Sequence, residues 1–210
     1  WDCPNVLWAI DNHVGEYALH ETFDRIWVAH SWGHMAELPN ARWLPAGYDP
    51  HTHFVICPDA PRDIDVLLIG NMYPERVQLV ADLRAAGINV VTDLGPVYAE
   101  YNALYNRAKI ALVRSKCGDL STRVFENMAA GCAVVSDHVA DMDKAGLQPG
   151  STYMPYDNSA HCVELIQGLL YMIEHGEWQV KNMLTFGKLK VNIEHTWAHR
   201  LQTLLADVGL

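Results

Sequence analysis

The sequence lacks the features that define several common protein classes. None of its apolar runs approaches the roughly 18 residues of a membrane-spanning helix, and it has no low-complexity tract. Basic residues are few, 15 against 25 acidic ones, and a net charge of −10 argues against a nucleic-acid partner because nucleic acids are polyanions. The five scattered cysteines include no C-x-x-C pair, which favours free thiols in a reducing compartment. With no signal peptide at the start, we expect a cytoplasmic protein.

From residue 64 onward, apolar strand-like runs alternate with amphipathic helical segments. IDVLLIG, INVV, KIALVRS and CAVVSD are the strand-like runs, and segments such as PERVQLVADLRAAG separate them. This alternation predicts an α/β fold, a doubly wound parallel sheet with helices on both faces. Two long helices are predicted to follow, near Asn158–Glu174 and Trp178–Leu205.

A shorter version of the same pattern precedes residue 60. NVLWAI and RIWVAH are strand-like, whereas EYALHETF and SWGHMAEL are helix-like. A turn-rich stretch with Pro45, Gly47 and Pro50, continued by CPDAPRD, is the best boundary in the chain. We therefore predict a small α/β lobe with a linker over residues 1–60, and a Rossmann-like lobe with C-terminal helices over residues 61–210.

The end of the strand IDVLLIG carries the first group of candidate binding residues. Gly70 lets the backbone approach a ligand closely, Asn71 offers an amide, and Arg76 can donate two hydrogen bonds to a phosphate. Pro74 begins a helix whose free N–H groups favour an anion. The alternative is an ordinary strand–turn–helix connection with an arginine that faces solvent.

The strand KIALVRS is followed by a second group, in KCGDLSTRVFE. Ser121 and Thr122 offer hydroxyls at a helix start, and Arg123 is a second candidate for binding phosphate. Glu126 lies on the same helix face as Thr122 and Arg123, where it can bind the vicinal hydroxyls of a ribose. The alternative is a capped helix with an exposed ion pair between Arg123 and Glu126, which would contribute little to stability.

The strand-like run NVLWAI ends in a third group, Asp11, Asn12 and His13. A histidine beside a carboxylate can act as a general base or donate a hydrogen bond to a sugar. The alternative is a structural histidine at a strand end. The other histidine pairs have no third ligand nearby in the sequence, so no metal site is predicted.

Several stretches resemble group 1 glycosyltransferases of the GT-B fold, most closely the branch related to spore maturation proteins. DLSTRVFENMAAGCAVVSD resembles the donor-site motif, and LWAIDNH, FDRIWVAH, ARWLPAGYDPHTH, DVLLIGNMYPERVQLV and HTWAHRLQTLL also fit that branch, all in the family's order. The resemblance implies two facing lobes, of which the acceptor-side lobe is shortened. It also implies transfer of a hexose from a nucleotide-diphosphate sugar, with a UDP-sugar expected, to a small-molecule, glycan or lipid-like acceptor.

The resemblance also assigns a donor-binding set. Glu126 would hold the ribose, and the loop from Asp119 to Arg123 would lie against the diphosphate. The full set is Gly70, Asn71, Arg76, Ser121, Thr122, Arg123 and Glu126.

The implied reaction uses no metal ion and no other cofactor. Negative charge gathers on the leaving diphosphate as the glycosidic bond breaks, and Arg76, Arg123 and the helix N-termini would stabilise it. The candidate catalytic residues are His13, Asp11 and Asp119.

Two departures from the family pattern leave alternatives open. Many group 1 enzymes carry a glutamate eight positions before the ribose glutamate, where this sequence has Gly118 and then Asp119, so the stereochemical outcome stays open. The first lobe has only roughly 60 residues, so the acceptor site is reduced, completed by another subunit as in a homodimer, or absent from this chain.

The alternative function is a non-catalytic nucleotide-sugar-binding module. A Rossmann-type oxidoreductase ranks lower, because GNMYPE lacks the G-x-G-x-x-G pattern.

Overall fold

A computed structural model describes residues 4–13 and 20–210, whose strands form two parallel sheets. The strands of the first sheet, in spatial order, are β1 (Val6–Ala9), β2 (Arg25–Val28) and β3 (Ala41–Trp43). Those of the second are β4 (Ile64–Ile69), β5 (Val90–Asp93), β6 (Ala108–Val113), β7 (Ala133–Asp137) and β8 (Met154–Tyr156). Their spatial order is β5-β4-β6-β7-β8, and every pairing is parallel.

Most of the helices follow the strands of the second sheet. The α-helices of the described residues are α1 (Pro74–Ala85), α2 (Tyr98–Arg107), α3 (Thr122–Ala129), α4 (Ala140–Lys144), α5 (Ser159–Glu174), α6 (Trp178–Glu194) and α7 (Trp197–Asp207). Of the predicted helix EYALHETF, residues 16–19 lie outside the described residues and His20–Thr22 form a 3₁₀ turn. SWGHMAEL likewise gives a 3₁₀ turn, His34–Glu37. None of the helices in the described ranges is long and apolar enough to cross a membrane.

Helices cover the five-stranded sheet on both faces, which confirms the predicted doubly wound α/β fold. On one face Tyr105, Phe125 and Met142 bring α2, α3 and α4 onto the buried strands. On the other face Leu83 of α1 and Ile166 of α5 pack against them. The central strands are near-continuous apolar runs because both of their faces are buried.

The strand order creates a crevice at the carboxyl ends of β4 and β6. These strands are direct neighbours, with Val66 opposite Ile110 and Leu67 opposite Ala111. The chain leaves β4 toward β5 on one side and continues from β6 toward β7 on the other, so the loops after β4 and β6 diverge. In a doubly wound sheet, ligands bind at such a switch point. The predicted binding groups at Gly70 and Arg123 follow these two strands.

The single long helix predicted over Trp178–Leu205 is wrong, because the helix breaks at His195 and Thr196. Tyr48 donates its N–H to the carbonyl of His195 (3.0 Å) and accepts from the N–H of Trp197 (3.0 Å). The Thr196 hydroxyl accepts from the N–H of His199 and so caps α7. These contacts satisfy the backbone groups at the break, so the chain turns there instead of continuing as one helix.

After this break, α7 crosses to the first sheet. The Trp8 and Trp197 rings meet edge to face with their centroids 5.5 Å apart. Asp207, at the end of α7, forms ion pairs with Arg25 (3.6 Å) and Arg42 of the first sheet. The division of the chain into lobes at residue 60 stays a prediction. It assigns α7 to the second lobe, although α7 contacts the first lobe.

Candidate active site

A cavity of about 440 Å³ opens at the switch point, between the loops after β4 and β5 and the start of α3. Its walls combine charged, polar and apolar side chains. The lining residues are His53, Ile69, Gly70, Asn71, Leu94, Pro96, Val97, Tyr98, Tyr101, Thr122, Arg123 and Glu126. Five of the seven predicted donor-binding residues are therefore in one place.

Two guanidinium groups converge on Gly70. This residue has φ +135°, and a Cβ added to it would lie 3.0 Å from Nη2 of Arg123 and 3.3 Å from Nη1 of Arg76. Any other residue would be strained by the backbone angle and would crowd both arginines. Gly70 therefore leaves room for the two positive groups to reach the same edge of the sheet.

Arg76 is buried and links the two loops of the crevice. Its Nη1 donates to the carbonyl of Asn71 (2.9 Å), and its Nε donates to the carbonyl of Arg114 (3.1 Å), to which Nη2 also donates. The alternative of a solvent-facing arginine at this position is wrong. Burial and then the nearby charge of Arg123 lower the pKa of Arg76. Arg76 therefore holds the two loops in position and provides a fixed positive charge. Most of its N–H donors are used by the two carbonyls and are not available to a ligand.

Arg123 is half-buried and has more of its donors available. Its Nη1 lies 3.4 Å from the Ser121 hydroxyl, which also accepts from the Arg123 backbone N–H and caps α3. No carboxylate among residues 4–13 and 20–210 forms an ion pair with Arg123, so the alternative pair with Glu126 is wrong. The guanidinium therefore faces the cavity beside the free N–H groups at the start of α3.

Glu126 is instead held by two residues that the sequence pattern does not identify. Tyr101 donates its hydroxyl to Oε2 of Glu126 (2.8 Å), and Nε2 of His53 lies 3.9 Å from Oε1. The rings of His53 and Tyr101 meet edge to face at 5.5 Å. Burial, followed by the charges of Tyr105 and Glu126, raises the pKa of Tyr101, so its hydroxyl stays a donor. The Tyr101 hydrogen bond orients the carboxylate, His53 lies beside it, and Glu126 lines the cavity.

Of the third predicted group, Asn12 has a structural role. Its Nδ2 donates to the carbonyls of His30 (2.9 Å) and Trp32 (3.0 Å), and its Oδ1 accepts from the His30 N–H (2.9 Å). The loop after β1 is thereby tied to the loop after β2. Asp11 is exposed at the edge of this loop.

His13 lies at the junction between the two lobes. Its ring contacts His30 at a centroid distance of 4.3 Å, and its buried Nδ1 has no hydrogen-bond partner among residues 4–13 and 20–210. Across the junction, Trp32 donates its indole N–H to the carbonyl of Gly118 (3.3 Å). The loop after β2 thus lies against the loop after β6, which contains Asp119.

Asp119 closes its own loop. Its Oδ1 accepts from the N–H groups of Lys116 (3.0 Å) and Cys117 (3.2 Å). Burial opposes ionisation of this carboxylate, but these hydrogen bonds and the nearby His13 outweigh it and lower the pKa of Asp119. The structure therefore brings two predicted catalytic residues, His13 and Asp119, near each other, while their roles stay predictions.

The chain belongs to the glycosyl transferase-like family, whose sequence profile matches residues 54–206. Its fold is that of GT-B glycosyltransferases. Sucrose-phosphate synthase from Thermosynechococcus elongatus is similar with a TM-score of 0.65 and 15% identity, over 88% of this chain and 58% of that one. HepE from Anabaena, solved in complex with UDP-glucose, has a TM-score of 0.72 and 11% identity over 97% and 71% of the two chains.

A glycosyltransferase from Rickettsia africae gives a TM-score of 0.64 at 9% identity, over 88% of this chain and 62% of that one. The chain thus spans less than two thirds of the length of the Rickettsia protein and of the sucrose-phosphate synthase. None of the curated protein sequences matches this chain. At these identities the solved structures establish the fold alone.

Proposed function

We propose that the protein transfers a hexose from a UDP-sugar to an acceptor without using a metal ion. One observation carries the proposal: Arg123 and Arg76 meet at Gly70, on the wall of the cavity that also contains Glu126. To bind a nucleotide-diphosphate sugar, a site needs positive charge near the diphosphate and a group that accepts hydrogen bonds from the ribose hydroxyls. This cavity offers both. The likeness to HepE, which was solved with UDP-glucose, supports this choice of donor.

In the proposed complex the nucleoside lies between Glu126 and the loop after β5. Glu126, oriented by Tyr101 and His53, accepts hydrogen bonds from the two vicinal ribose hydroxyls. Leu94 and Val97 provide an exposed apolar surface against which a flat base can pack.

The diphosphate then lies along Gly70 and the start of α3. When the bond between the sugar C1 and the phosphate oxygen breaks, that oxygen gains negative charge. Arg123, the buried charge of Arg76 and the N–H groups of α3 stabilise it. The acceptor oxygen forms the new bond to C1, and its proton leaves to a base, for which His13 is the proposed residue. The negative charge of Asp119 lies near the His13 imidazole and would stabilise it once it has taken up the proton.

We expect Glu126→Gln to weaken UDP binding about 10- to 100-fold, because the variant loses a charge-assisted hydrogen bond to the ribose. The measurement is titration calorimetry with UDP, after a thermal-shift screen of UDP-glucose, UDP-N-acetylglucosamine, GDP-mannose and ADP-glucose. Glu100→Gln, an exposed glutamate on α2, is the matched control and should bind UDP normally. Unchanged affinity in the Glu126 variant would contradict the proposed ribose contact.

Metal chelation provides a separate test. Within the described ranges, no group of three or more His, Cys, Asp or Glu side chains is arranged to hold a metal ion. Because arginines and helix N–H groups supply the positive charge in the proposed mechanism, we expect EDTA to leave the transfer rate unchanged. A loss of activity that Mg²⁺ or Mn²⁺ restores would refute metal independence.

A non-catalytic nucleotide-sugar-binding module is the second candidate, favoured by the geometry around Gly118. This position has no side chain where many relatives have a glutamate, and the Oδ1 atom of Asp119 is occupied by its own loop. Mass spectrometry of mixtures of UDP-sugar and diverse acceptors separates the two. Saturable UDP binding without any glycosylated product would favour the binding module.

A further inference from the structure

Helix α6 has apolar residues on two opposite faces. The buried face contains Val180, Met183, Gly187 and Val191, which pack against the second lobe. The packing is close, since a Cβ on Gly187 would lie 3.0 Å from the carbonyl oxygen of Thr152. Packing against the second lobe therefore explains the apolar residues on one face of α6 but not those on the opposite face.

The opposite face carries an exposed apolar stripe, formed by Trp178, Phe186, Leu189 and Ile193. Each of these side chains is more than half exposed. At 3.6 residues per turn they fall within an arc of about 80°. The exposed Asn182 lies in the same arc and separates Trp178 from Phe186, Leu189 and Ile193, which form a continuous apolar patch about 10 Å long. An exposed apolar patch of this kind with polar residues at its edges marks an interaction surface.

Lysines flank the stripe on both sides. On a helical projection Lys181 and Lys188 lie along one edge and Lys190 along the other. These are three of the six lysines of a chain whose net charge is −10. Among the described residues Lys190 pairs with Glu194 (2.6 Å), whereas Lys181 and Lys188 form no ion pair with a carboxylate. Two lysines without a carboxylate partner among the described residues thus lie along one edge of the stripe, while Glu194 offsets the charge of Lys190 at the other.

A cavity of about 390 Å³ lies between this face and the loop at residues 146–152. Phe186, Leu189 and Ile193 form its apolar wall, and Lys190 also lines it. The stripe is therefore part of a concave surface, with a cation beside its apolar groups.

We infer that this face of α6 binds the surface of an anionic lipid membrane. Apolar side chains that enter the acyl boundary, with lysines beside them at the headgroups, are the pattern of a helix lying in the membrane interface. A second copy of the chain fits less well. In an antiparallel twofold dimer the same edges of the two helices meet in reversed order, which would bring Lys181 of one copy near Lys188 of the other. The helix is too short and too polar to span the bilayer.

The test is flotation of the full chain with phospholipid vesicles, without donor or acceptor. We expect it to float with vesicles made of equal parts phosphatidylcholine and phosphatidylglycerol, to stay behind with phosphatidylcholine alone, and to be released by high salt. Since no substrate is present, the result does not depend on the proposed sugar transfer.

Two variants separate the contributions of charge and apolar surface. Lys181→Gln with Lys188→Gln should lower the partition coefficient about 25-fold, about fivefold per lysine. Phe186→Ser with Leu189→Ser should lower it at least about tenfold. The matched control is Leu201→Ser, which removes a similarly exposed leucine from α7, a helix without lysine, and should bind like the unmodified chain.

Three results would overturn the inference. The first is no preference for anionic vesicles, and the second is vesicle binding that neither α6 variant weakens. The third is a dimer, detected by analytical ultracentrifugation, that the Phe186 and Leu189 variant dissociates. That last result would assign the stripe to a second copy of the chain.

Discussion

Replacing Arg123 with glutamine is expected to lower the rate of sugar transfer about 100- to 1000-fold, the usual cost of removing one donor to a developing negative charge. The guanidinium lies beside Gly70 and faces the cavity, and Ser121 is its hydrogen-bond partner through a long contact of 3.4 Å. The fold therefore depends little on it, and the free energy of unfolding should change by less than about 1 kcal/mol. The measurement is kcat and KM with saturating acceptor, alongside urea unfolding.

Two controls make this result specific. Arg107→Gln removes an exposed arginine that pairs with Asp63 away from the cavity, and it should retain full activity. Arg123→Lys keeps the charge but loses the planar fork and should recover only part of the rate. A normal rate in Arg123→Gln would mean that the diphosphate is bound elsewhere, and the proposed orientation of the donor would be wrong.

The sequence and its resemblance to group 1 glycosyltransferases predict that the groups at Gly70 and Arg123 face one diphosphate, but they do not give the strand order that brings the groups together. Strand-like runs followed by glycine and arginine show that each group follows a strand, since ligands bind beyond the carboxyl ends of parallel strands. Whether the two strands are neighbours depends on the sheet order, and only the structure shows β4 beside β6. The burial of Arg76 escaped prediction for a related reason. Its partner, the carbonyl of Arg114, is 38 residues away.

The supports of Glu126 show the same limit. The helical spacing of Tyr98, Tyr101 and Tyr105 in α2 predicts a shared face, of which Tyr101 and Tyr105 are buried and Tyr98 is exposed. Tyr101 lies in α2, His53 in the connector between the lobes and Glu126 in α3. Because these three segments are far apart in the sequence, no local pattern indicates that the residues meet. In the sequence His53 stands out only through its spacing from His51, a histidine pair without a third metal ligand nearby.

The sequence pattern does not indicate the break between α6 and α7, because helical periodicity continues through it. Thr196 and the residue three places later form a cap, but such a threonine also occurs inside helices. What selects the break is Tyr48, far away in sequence, whose backbone pairs with both sides of it. The same break places His195 inside the protein, between α3, α4 and the C-terminal helices.

His195 is buried as a neutral imidazole. Its ring stacks on Phe125 with centroids 4.6 Å apart, and Nε2 donates to the carbonyl of Ala145 (3.0 Å). Its Nδ1 accepts from Nη2 of Arg200 (2.6 Å), whose Nε donates to the carbonyl of Pro45 (2.7 Å). Burial and then the charge of Arg200 lower the pKa of His195 to about 4 from its ordinary value of 6.5. Protonation would place two cations side by side in the interior.

We expect the protein to lose about 3 kcal/mol of stability through His195 as the pH falls from about 6.5 to 4. Between these values the unfolded chain binds a proton at this position and the folded chain does not, so the free energy of unfolding decreases as the pH falls. The size follows from the drop of the pKa to about 4, at about 1.4 kcal/mol for each tenfold change. Urea unfolding at a series of pH values measures it.

The matched variants are His195→Gln and His161→Gln. Glutamine at position 195 keeps one donor and one acceptor but cannot be protonated, so the variant should be less stable at neutral pH and lose about 3 kcal/mol less on acidification. His161 lies partly exposed at the start of α5 and pairs with Asp157 (3.1 Å), a surface ion pair worth less than about 1 kcal/mol, so its replacement should change the pH dependence far less. If the His195 variant instead followed the pH profile of the unmodified chain, another buried group would have to bind the proton. The burial of His195 at the break between α6 and α7 would then not be the cause of the loss of stability in acid.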